Sequence, residues 1–295
     1  MQRKITQEMA KDRLPRREAD ANKGSFGSVL AAAGSMAYRG AAALCTEGAL
    51  RAGAGLVYLA SVEPVVQMVL TRTPECCACG CRTAANGGIH PQDAGALRSW
   101  FDGKNTVLLA GPGLGESAAP VCNALLGKKA PWSAAVLDAD ALNALAAGKI
   151  KGPLPNQTVI TPHPGEAARL LDCTVGEVQA DREAAARRLA GMYHCIAVLK
   201  GSGTLIATPG GEVYHNPTGN AGLAKGGSGD ILAGLLSGLL AAGLKQGRTA
   251  EDAAIAAVWL HGAAGDRCAK RLGMAAMLPH DIFADLGAIF AELER

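Results

Sequence analysis

Short apolar runs alternate with longer segments of helical periodicity along most of this chain. Each run is followed at once by a glycine or a polar residue, as expected of buried strands that end at a loop. These runs predict strands at residues 28–33, 56–60, 106–110, 134–137, 158–160 and 196–199. The segments between them predict helices at residues 40–52, 117–126, 139–147, 165–171 and 175–190. Because strands separated by helices pair in parallel, the pattern predicts an α/β fold with a mainly parallel sheet and helices on both faces.

The last third of the chain changes this pattern. Residues 204–207 and 212–215 flank Pro209-Gly-Gly and predict an antiparallel hairpin, and helices are predicted at residues 229–242, 250–271 and 279–293. Residues 1–21 form a polar N-terminal arm whose basic cluster, residues 13–17, is interpreted as a solvated tail. The rest contains neither a repeat nor a long linker. Residues 22–295 are therefore predicted to form a single domain.

The composition limits the classes of function. Hydrophobic residues make up 49% of the 295 residues and glycine accounts for 38 of them, which predicts closely packed helices and strands. The formal net charge of +3 gives no reason to expect a nucleic-acid partner. The longest apolar run, residues 231–244, is too short to span a bilayer, so no membrane partner is expected. Nine cysteines without a visible secretory signal favour free thiols in a reducing cytoplasm.

The richest segment, Gly226-Gly-Ser-Gly-Asp230, leads into the predicted helix at residues 229–242. Its glycines allow the N–H groups of Gly227, Ser228 and Gly229 to converge on one point, where the helix dipole adds partial positive charge. This predicts an anion hole for a transferring phosphoryl group, and Asp230 beside it could accept a proton from a substrate hydroxyl. The alternative is a tight turn followed by a favourable acid in the first helical turn.

Three further segments carry polar groups at the ends of predicted strands. In Thr161-Pro-His-Pro-Gly-Glu166, Glu166 could hold Mg²⁺ through water, although a helix cap is the better interpretation when it is considered alone. In Asp138-Ala-Asp140, the carboxylates are either an N-cap and a solvated acid or electrostatic contacts at the edge of a site. Lys200-Gly-Ser-Gly-Thr204 suits nucleotide phosphates or ribose, or it is a plain hairpin connection.

The segment Gly111-Pro-Gly-Leu-Gly115 follows the predicted strand at residues 106–110. Its spacing is shorter than that of the dinucleotide-binding fingerprint, and Pro112 removes one N–H donor. The chain also lacks the P-loop motif. We therefore interpret residues 111–115 as a loop that approaches a ligand closely.

Cys76, Cys77, Cys79 and Cys81 invite a metal interpretation. Their spacing differs from that of a zinc ribbon, and no second cluster with histidine lies nearby in the sequence. We interpret this segment as an ordinary loop that is rich in thiols.

Together these segments resemble the ADP- or ATP-dependent NAD(P)H-hydrate dehydratase family of the ribokinase-like superfamily. The resemblance extends from about Asn22 to the C terminus, and the order and number of the motifs make it specific. The matching motifs are Asn22-Lys-Gly-Ser-Phe-Gly27, Gly40-Ala-Ala42, Ala49-Leu-Arg-Ala-Gly-Ala-Gly55, Gly111-Pro-Gly-Leu-Gly115, Asp138-Ala-Asp140-Ala-Leu-Asn143, Thr161-Pro-His-Pro-Gly-Glu166, Lys200-Gly201 and Gly226-Gly-Ser-Gly-Asp230. The resemblance implies a ribokinase-like three-layer sandwich.

The resemblance implies an enzyme that repairs nicotinamide cofactors whose ring has taken up water. The terminal phosphoryl group of ADP, favoured here over ATP, would pass to the ring hydroxyl of the S-form of hydrated NADH or NADPH. Phosphate would then leave and restore NADH or NADPH. The resemblance also implies Mg²⁺ and a homotetramer. Only about twenty residues precede Asn22, too few for the epimerase domain of fused family members, so epimerase activity is not expected in this chain.

The same resemblance implies roles for individual residues. The residues expected in catalysis are Asp230, Gly227, Ser228 and Gly229. The residues expected to line the hydrated cofactor are Ala42, Gly113, His163 and Asp230. The residues expected to hold the nucleotide are Lys200, Gly201, Ser202, Gly203, Thr204 and Gly229. Glu166 occupies the place of an acidic residue that is associated with magnesium in related kinases, and those kinases have Asn where His163 stands.

Three alternatives remain to be separated by other observations. A ribokinase-like kinase of a vitamin-precursor alcohol, of the hydroxyethylthiazole or hydroxymethylpyrimidine type, would share the anion hole and Asp230. A catalytically silent binding protein on the same fold is disfavoured by the intact Gly229–Asp230 pair. A dehydrogenase is disfavoured because the chain lacks the glycine fingerprint and a suitably placed ribose-binding acid.

Overall fold

A computed structural model describes residues 2–101, 105–127 and 130–294. The described residues form one sheet of ten strands in the order β1-β10-β9-β8-β7-β6-β5-β2-β3-β4. The strands are β1 (Gln2–Lys4), β2 (Ser28–Ala32), β3 (Leu56–Val62), β4 (Cys77–Cys81), β5 (Thr106–Ala110), β6 (Ala134–Leu137), β7 (Thr158–Ile160), β8 (Ile196–Leu199), β9 (Leu205–Ala207) and β10 (Val213–His215). Strands β2 to β8 pair in parallel, and only β9 pairs antiparallel with both of its neighbours. The predicted mainly parallel α/β sheet and the antiparallel hairpin are confirmed.

Helices cover both faces of this sheet. They are α1 (Gln7–Lys11), α2 (Arg39–Arg51), α3 (Glu63–Arg72), α4 (Pro91–Trp100), α5 (Ala118–Leu125), α6 (Asp140–Ala146), α7 (Pro164–Leu171), α8 (Val175–Ala180), α9 (Arg182–Tyr193), α10 (Ser228–Leu244), α11 (Ala250–Leu272) and α12 (Ile282–Leu293). One cluster of buried apolar residues joins α2, α10, α11 and α12 to the sheet, and a second joins α4 to α9 to its other face. The result is a three-layer α/β/α sandwich.

The central strands are buried on both sides, which explains their continuous apolar sequences. All five residues of β2 and all five of β5 are buried. Their side chains alternate between the layers: Val29 and Ala31 belong to the core beneath α2 and α10, whereas Leu30 and Ala32 belong to the opposite core.

Helices α2 and α10 pack unusually closely because glycines replace side chains at their contact. A Cβ atom on Gly234 would lie 2.3 Å from the carbonyl oxygen of Cys45, and one on Gly238 would lie 2.3 Å from that of Ala49. From α2, a Cβ atom on Gly48 would lie 3.0 Å from the carbonyl oxygen of Ile231. The close packing expected from the glycine content is therefore present, and it fixes the position of the first turn of α10.

The N-terminal segment differs from the solvated tail that we expected. Strand β1 pairs in parallel with β10 at the edge of the sheet, and Ile5 and Ala10 are fully buried. Arg13 lies 3.4 Å from Asp252 of α11. Arg17 stacks on the ring of Phe26 at 4.2 Å and donates a hydrogen bond to the carbonyl of Gly53. The apolar residues of this segment are scattered among charged ones, so no apolar run predicted their burial.

The thiol-rich segment also differs from the predicted loop, because it forms a strand. Strand β4 pairs in parallel with β3, and it places Cys79 and Cys81 in the core beneath α4. Cys76, just before the strand, lies in the core on the opposite face. Burial raises the pKa of both Cys76 and Cys81 to about 12. These thiols are therefore protonated packing residues near neutral pH.

The remaining differences between the predicted and observed elements concern the helices. Helices α3 and α4 were not predicted, and the helix predicted at residues 175–190 is two helices. The break falls at Asp181, whose backbone leaves the helical conformation (φ −143°, ψ 82°) and whose carboxylate accepts a hydrogen bond from Ala184 N at the start of α9. Among the described residues, no helix combines the length and the apolar character needed to cross a bilayer.

Candidate active site

The predicted site segments meet at the carboxyl ends of the parallel strands. Gly111 follows β5, Asp138 follows β6, Thr161 follows β7 and Lys200 follows β8. The order of these strands in the sheet places the four segments side by side. Ligands of open α/β sheets bind at this edge.

The first turn of α10 closes the same edge. Gly227 has a φ of +101°, a conformation that L side chains rarely adopt, and a Cβ atom on it would lie 2.5 Å from Leu44 Cδ1. Ser228 N donates to the carbonyl of Lys225 at 3.3 Å. The N–H groups that follow, at Gly229 and Asp230, belong to the first helical turn, where no carbonyl of the same helix can accept from them. The turn therefore presents donors and the positive end of the dipole of α10.

Asp230 lies in this first turn, with its carboxyl group mostly buried. Burial raises the pKa of Asp230 to about 6, with a further increase from the negative charge of Asp138 and a decrease from the positive charge of Lys200. A carboxylate with a pKa in this range can accept a proton near neutral pH and release it again.

Lys200 lies between the acidic groups of the site and residues 226–229, the glycine turn. Its Nζ lies 2.7 Å from Asp138 Oδ1 and 3.8 Å from Glu166 Oε2. Burial lowers the pKa of Lys200, but the attraction of Asp138 and Glu166 outweighs this effect and raises it. A Cβ atom on Gly229 would lie 3.3 Å from the same ammonium nitrogen. The lysine is therefore charged and lies beside the first turn of α10.

Asp138 and Asp140 both have specific partners, so neither is the solvated acid considered above. Asp138 is 2% exposed and also accepts a hydrogen bond from Thr161 Oγ1 at 2.7 Å. Asp140 Oδ2 accepts one from Gly115 N at 2.8 Å. Ala139 between them has a φ of +50°, which is uncommon for a residue with a side chain. The two carboxylates thus hold two neighbouring loops at this edge of the sheet.

Glu166 is both a helix cap and a member of the charged cluster. Its Oε2 accepts a hydrogen bond from His163 N at 2.8 Å, while His163 Nδ1 accepts one from Gly165 N at 3.0 Å, which completes a capping box. Burial raises the pKa of Glu166, although Lys200 lowers it in part. The side chain of His163 is about half exposed, which leaves its outer edge open to a ligand.

Gly113 packs against the first turn of α2, where Ala42 is fully buried. A Cβ atom on Gly113 would lie 2.7 Å from the carbonyl oxygen of Tyr38 and 3.0 Å from Ala41 Cβ, in the first turn of α2. Ala42 is the next residue of that turn. The loop of residues 111–115 therefore approaches α2 through glycine, and a larger residue at position 113 would separate them.

The loop of residues 201–204 is supported from behind by Arg182. The Nη2 atom of Arg182 donates to the carbonyls of Leu199, Lys200 and Gly203. Gly201 and Gly203 have φ values of +144° and +65°, which explains the need for glycine at both positions. Ser202 is exposed, and Thr204 Oγ1 donates to the carbonyl of Gly201.

Sequence reasoning missed two groups in this region. Arg182 lies in the middle of a predicted helix, where nothing distinguishes it from a surface arginine. His261 lies on α11 with its Nε2 3.2 Å from Ser228 Oγ, and burial lowers its pKa to about 4. The signal that could have found His261 is a histidine in an otherwise apolar helical stretch, residues 253–264.

The site offers few protein ligands for a metal ion. Among residues 2–101, 105–127 and 130–294, no three His, Cys, Asp or Glu side chains are arranged to hold one. Mg²⁺ at nucleotide sites is usually held by one or two carboxylates, with waters and phosphate oxygens as the other ligands. The Glu166 residue is 5% exposed, and its Oε2 lies 3.8 Å from Lys200 Nζ. Its carboxylate fits such a contact through water.

Comparison with known proteins agrees with this geometry. The model of the NAD(P)H-hydrate dehydratase family matches residues 29–287. The bifunctional NAD(P)H-hydrate repair enzyme of Moorella thermoacetica is 40% identical over 99% of this chain and 54% of its own length. The chain thus spans about half the length of this curated relative. The ADP-dependent (S)-NAD(P)H-hydrate dehydratase of Neisseria meningitidis is 38% identical over 89% of this chain and 84% of its own.

A solved structure is similar throughout. The ADP/ATP-dependent NAD(P)H-hydrate dehydratase from Bacillus subtilis, co-crystallized with ATP and Mg²⁺, matches 99% of both chains with a TM-score of 0.84 and 31% identity. The fold is therefore ribokinase-like, as the resemblance implied. The chain belongs to the NAD(P)H-hydrate dehydratase family.

Proposed function

We propose that this chain catalyses the nucleotide-dependent dehydration of the S-form of hydrated NADH and NADPH, with ADP as the preferred co-substrate. The observation that carries the proposal is the position of Asp230: a carboxyl group with a pKa of about 6 lies in the first turn of α10, next to backbone donors and the charged Lys200. A base and an anion site side by side are what a phosphoryl transfer to a hydroxyl requires.

The first step is phosphoryl transfer. The hydroxyl oxygen of the hydrated ring attacks the terminal phosphorus of ADP, its proton passes to Asp230, and AMP leaves. Gly227, Ser228 and Gly229 form the turn around the transferring group, and the N–H groups of Gly229 and Asp230 and the dipole of α10 stabilise its charge in the transition state. Lys200 neutralises part of that charge from the side of β8.

The second step is elimination. The lone pair of the ring nitrogen expels phosphate from the neighbouring carbon, and the next ring carbon gives up a proton to the departing phosphate, which restores the dihydronicotinamide. Phosphate is a far better leaving group than hydroxide, which explains why a nucleotide is consumed in removing water.

Two groups of residues would bind the two substrates. Lys200, Gly201, Ser202, Gly203 and Thr204, together with Gly229, hold the nucleotide, since the ammonium of Lys200 and the first turn of α10 lie side by side and both attract phosphate. The hydrated cofactor lies against Ala42, Gly113, His163 and Asp230. The preference for ADP is supported by the Neisseria meningitidis relative, which is named as ADP-dependent.

Mg²⁺ is proposed as the accompanying cation, held by Glu166 through water and by the phosphates of the nucleotide. When bound, it would neutralise charge on the phosphate oxygens. We further propose a cytoplasmic location, because nine cysteines, with no disulfide among the residues that the structure describes, suit a reducing compartment. The homotetramer implied by the resemblance stays a prediction, which sedimentation analysis of the purified protein would test.

One assay tests the proposed function. Purified protein is mixed with hydrated NADH, Mg²⁺ and either ADP or ATP, and the return of dihydronicotinamide absorbance is followed together with AMP and phosphate release. Recovery of absorbance with stoichiometric AMP is expected with ADP. No recovery with either nucleotide, together with phosphorylation of hydroxyethylthiazole or hydroxymethylpyrimidine, would replace the dehydratase by a vitamin kinase.

A further inference from the structure

A buried histidine contacts the glycine turn from α11. His261 is 9% exposed, and its Nε2 atom lies 3.2 Å from Ser228 Oγ. Ser228 is the first residue of α10 and is 7% exposed, so water has little access to this contact. The roles proposed above make no use of His261.

The loop that leads into the turn is anchored on the same helix. The Asp266 carboxylate accepts hydrogen bonds from Gly219 N at 2.9 Å and from Asn220 Nδ2 at 3.0 Å. Asp266 and His261 therefore hold the two ends of residues 219–228 against α11. Fixing both ends of a phosphate-binding loop reduces the reorganisation needed when charge develops there.

The protonation state of His261 follows from its surroundings. Burial lowers its pKa to about 4; a hydrogen bond with the backbone of Ser228 raises the pKa in part and the positive charge of Lys200 lowers it, so the ring is neutral near pH 7. A neutral imidazole has one donor nitrogen and one acceptor nitrogen. If Nε2 accepts, the hydroxyl hydrogen of Ser228 points at the ring. If Nε2 donates, that hydrogen is free to point at an anion.

We propose that His261 is a positioning residue that donates a hydrogen bond from Nε2 to Ser228 Oγ and so directs the Ser228 hydroxyl, as a donor, toward the transferring phosphoryl group. The proposal rests on the proposed function for the identity of the anion. Phosphoryl oxygens only accept hydrogen bonds, so a neighbouring hydroxyl stabilises them only when its hydrogen is available. The contact with His261 removes the competing acceptor.

The tautomer can be measured directly on the unmodified protein. Two-dimensional ¹H–¹⁵N correlation through the ring protons of His261 distinguishes a proton on Nε2 from one on Nδ1, with and without bound ADP. A proton on Nε2 in the ADP complex is expected. A proton on Nδ1 in that complex would overturn the proposal, whatever reaction the enzyme catalyses.

Variants then test whether His261 acts through Ser228. His261→Leu should lower kcat about tenfold or more, in line with the loss of a donor in an anion hole, while the Kd for ADP changes little. Ser228→Ala should have an effect of similar size. Because His261 acts only through the hydroxyl, the double variant should be no slower than Ser228→Ala. His261→Gln keeps a donor and should recover most of the activity.

A matched control separates positioning from packing. Cys268 is buried on α11, two turns beyond His261, and its Sγ accepts a hydrogen bond from Arg271, so Cys268→Ala should lower Tm without changing kcat. Independent, multiplying effects of His261→Leu and Ser228→Ala would show that His261 only packs. If the unmodified protein does not restore NADH, the proposed function fails, and the NMR measurement still decides the role of His261.

Discussion

In two groups of polar or sulfur-containing side chains, the spacing along the sequence is a poor guide to the distance in the structure. Cys76, Cys77, Cys79 and Cys81 lie within six positions of one another, yet the sheet separates Cys76 from Cys79 and Cys81 onto opposite faces. Asp138, Glu166, Lys200 and Asp230 come from four separate segments, yet Lys200 lies close enough to interact with the other three.

The difference has a simple structural cause. Successive residues of a strand point to opposite faces, so a dense run of thiols around β4 is divided between two cores. Parallel strands, in contrast, all end at the same edge, so residues that follow β6, β7 and β8 converge there. We therefore expect the charged cluster to take part in the reaction and the thiols to contribute to the packing of the core. Four measurements test whether the two groups differ in this way.

The largest effect is expected from Asp230→Asn, which keeps the shape of the side chain and removes the base. The kcat for NADH recovery should fall about a hundredfold or more, the usual contribution of a general base. The Kd for ADP, measured by calorimetry, should stay within a few-fold. A kcat within tenfold of the unmodified enzyme would mean that Asp230 is only a first-turn acid.

Lys200→Met should be the most damaging change to stability in the charged cluster. It leaves the 2% exposed Asp138 without its cation, and loss of one partner of a buried pair costs about 3 kcal/mol of unfolding free energy. Urea denaturation near neutral pH measures this value. The exposed Lys270 on α11 provides the control, since Lys270→Met should change stability little. Adding Asp138→Asn to Lys200→Met should restore part of the loss; no restoration would contradict the pairing.

Asp230→Asn should also stabilise the fold, with a definite pH dependence. The pKa of Asp230 rises from 3.8 to about 6 on folding, chiefly through burial, so the folded state binds the proton more tightly. Its contribution to stability therefore falls as pH rises from about 4 to about 6. The variant should gain roughly 1–3 kcal/mol of unfolding free energy at pH 7, and the gain should shrink as pH falls from about 6 to about 4.

Asp93→Asn is the control of opposite sign for that measurement. A hydrogen bond from Arg82 lowers the pKa of Asp93, so this carboxylate stabilises the fold once it is ionised. The variant should lose stability as pH rises through the acid range. Equal pH dependence in the two variants would contradict the assignment of Asp230 as a carboxyl group destabilised by burial.

The smallest effects are expected from the thiols. Cys79→Ala and Cys81→Ala should each cost about 1 kcal/mol of stability through lost apolar contact, and kcat should be unchanged. Thiol reagents should react slowly with Cys76 and Cys81, because burial raises the pKa of each to about 12. Stoichiometric zinc in the purified protein would overturn this interpretation and make the thiols a second site.

Much of the architecture could be predicted because its signals are local. The strands at residues 106–110, 134–137, 158–160 and 196–199 have the predicted bounds, since each is a buried apolar run closed by a glycine or polar residue. The edge strands were missed for the opposite reason. β1 is three exposed polar residues, and its place depends on pairing with β10, which no local pattern records.

The site divides in the same way. The segments that hold Asp230, Glu166 and Lys200 could be found because glycine and proline mark the loops that carry them. The contacts between these side chains could not be predicted, since the contact of Lys200 with Asp138 joins positions 62 residues apart. The predicted roles of the substrate- and nucleotide-binding residues remain predictions for ligand-bound structures and kinetics.

Strand β1 also has a consequence for how the chain folds. Gln2 pairs with Val213, so one edge of the sheet cannot form until more than two-thirds of the chain has been made. Closing so long a loop is slow, because the entropy of the intervening chain is lost before the contact compensates for it. During synthesis β1 is made well before β10, and until the two strands pair the edge of β10 is open to pairing with another chain.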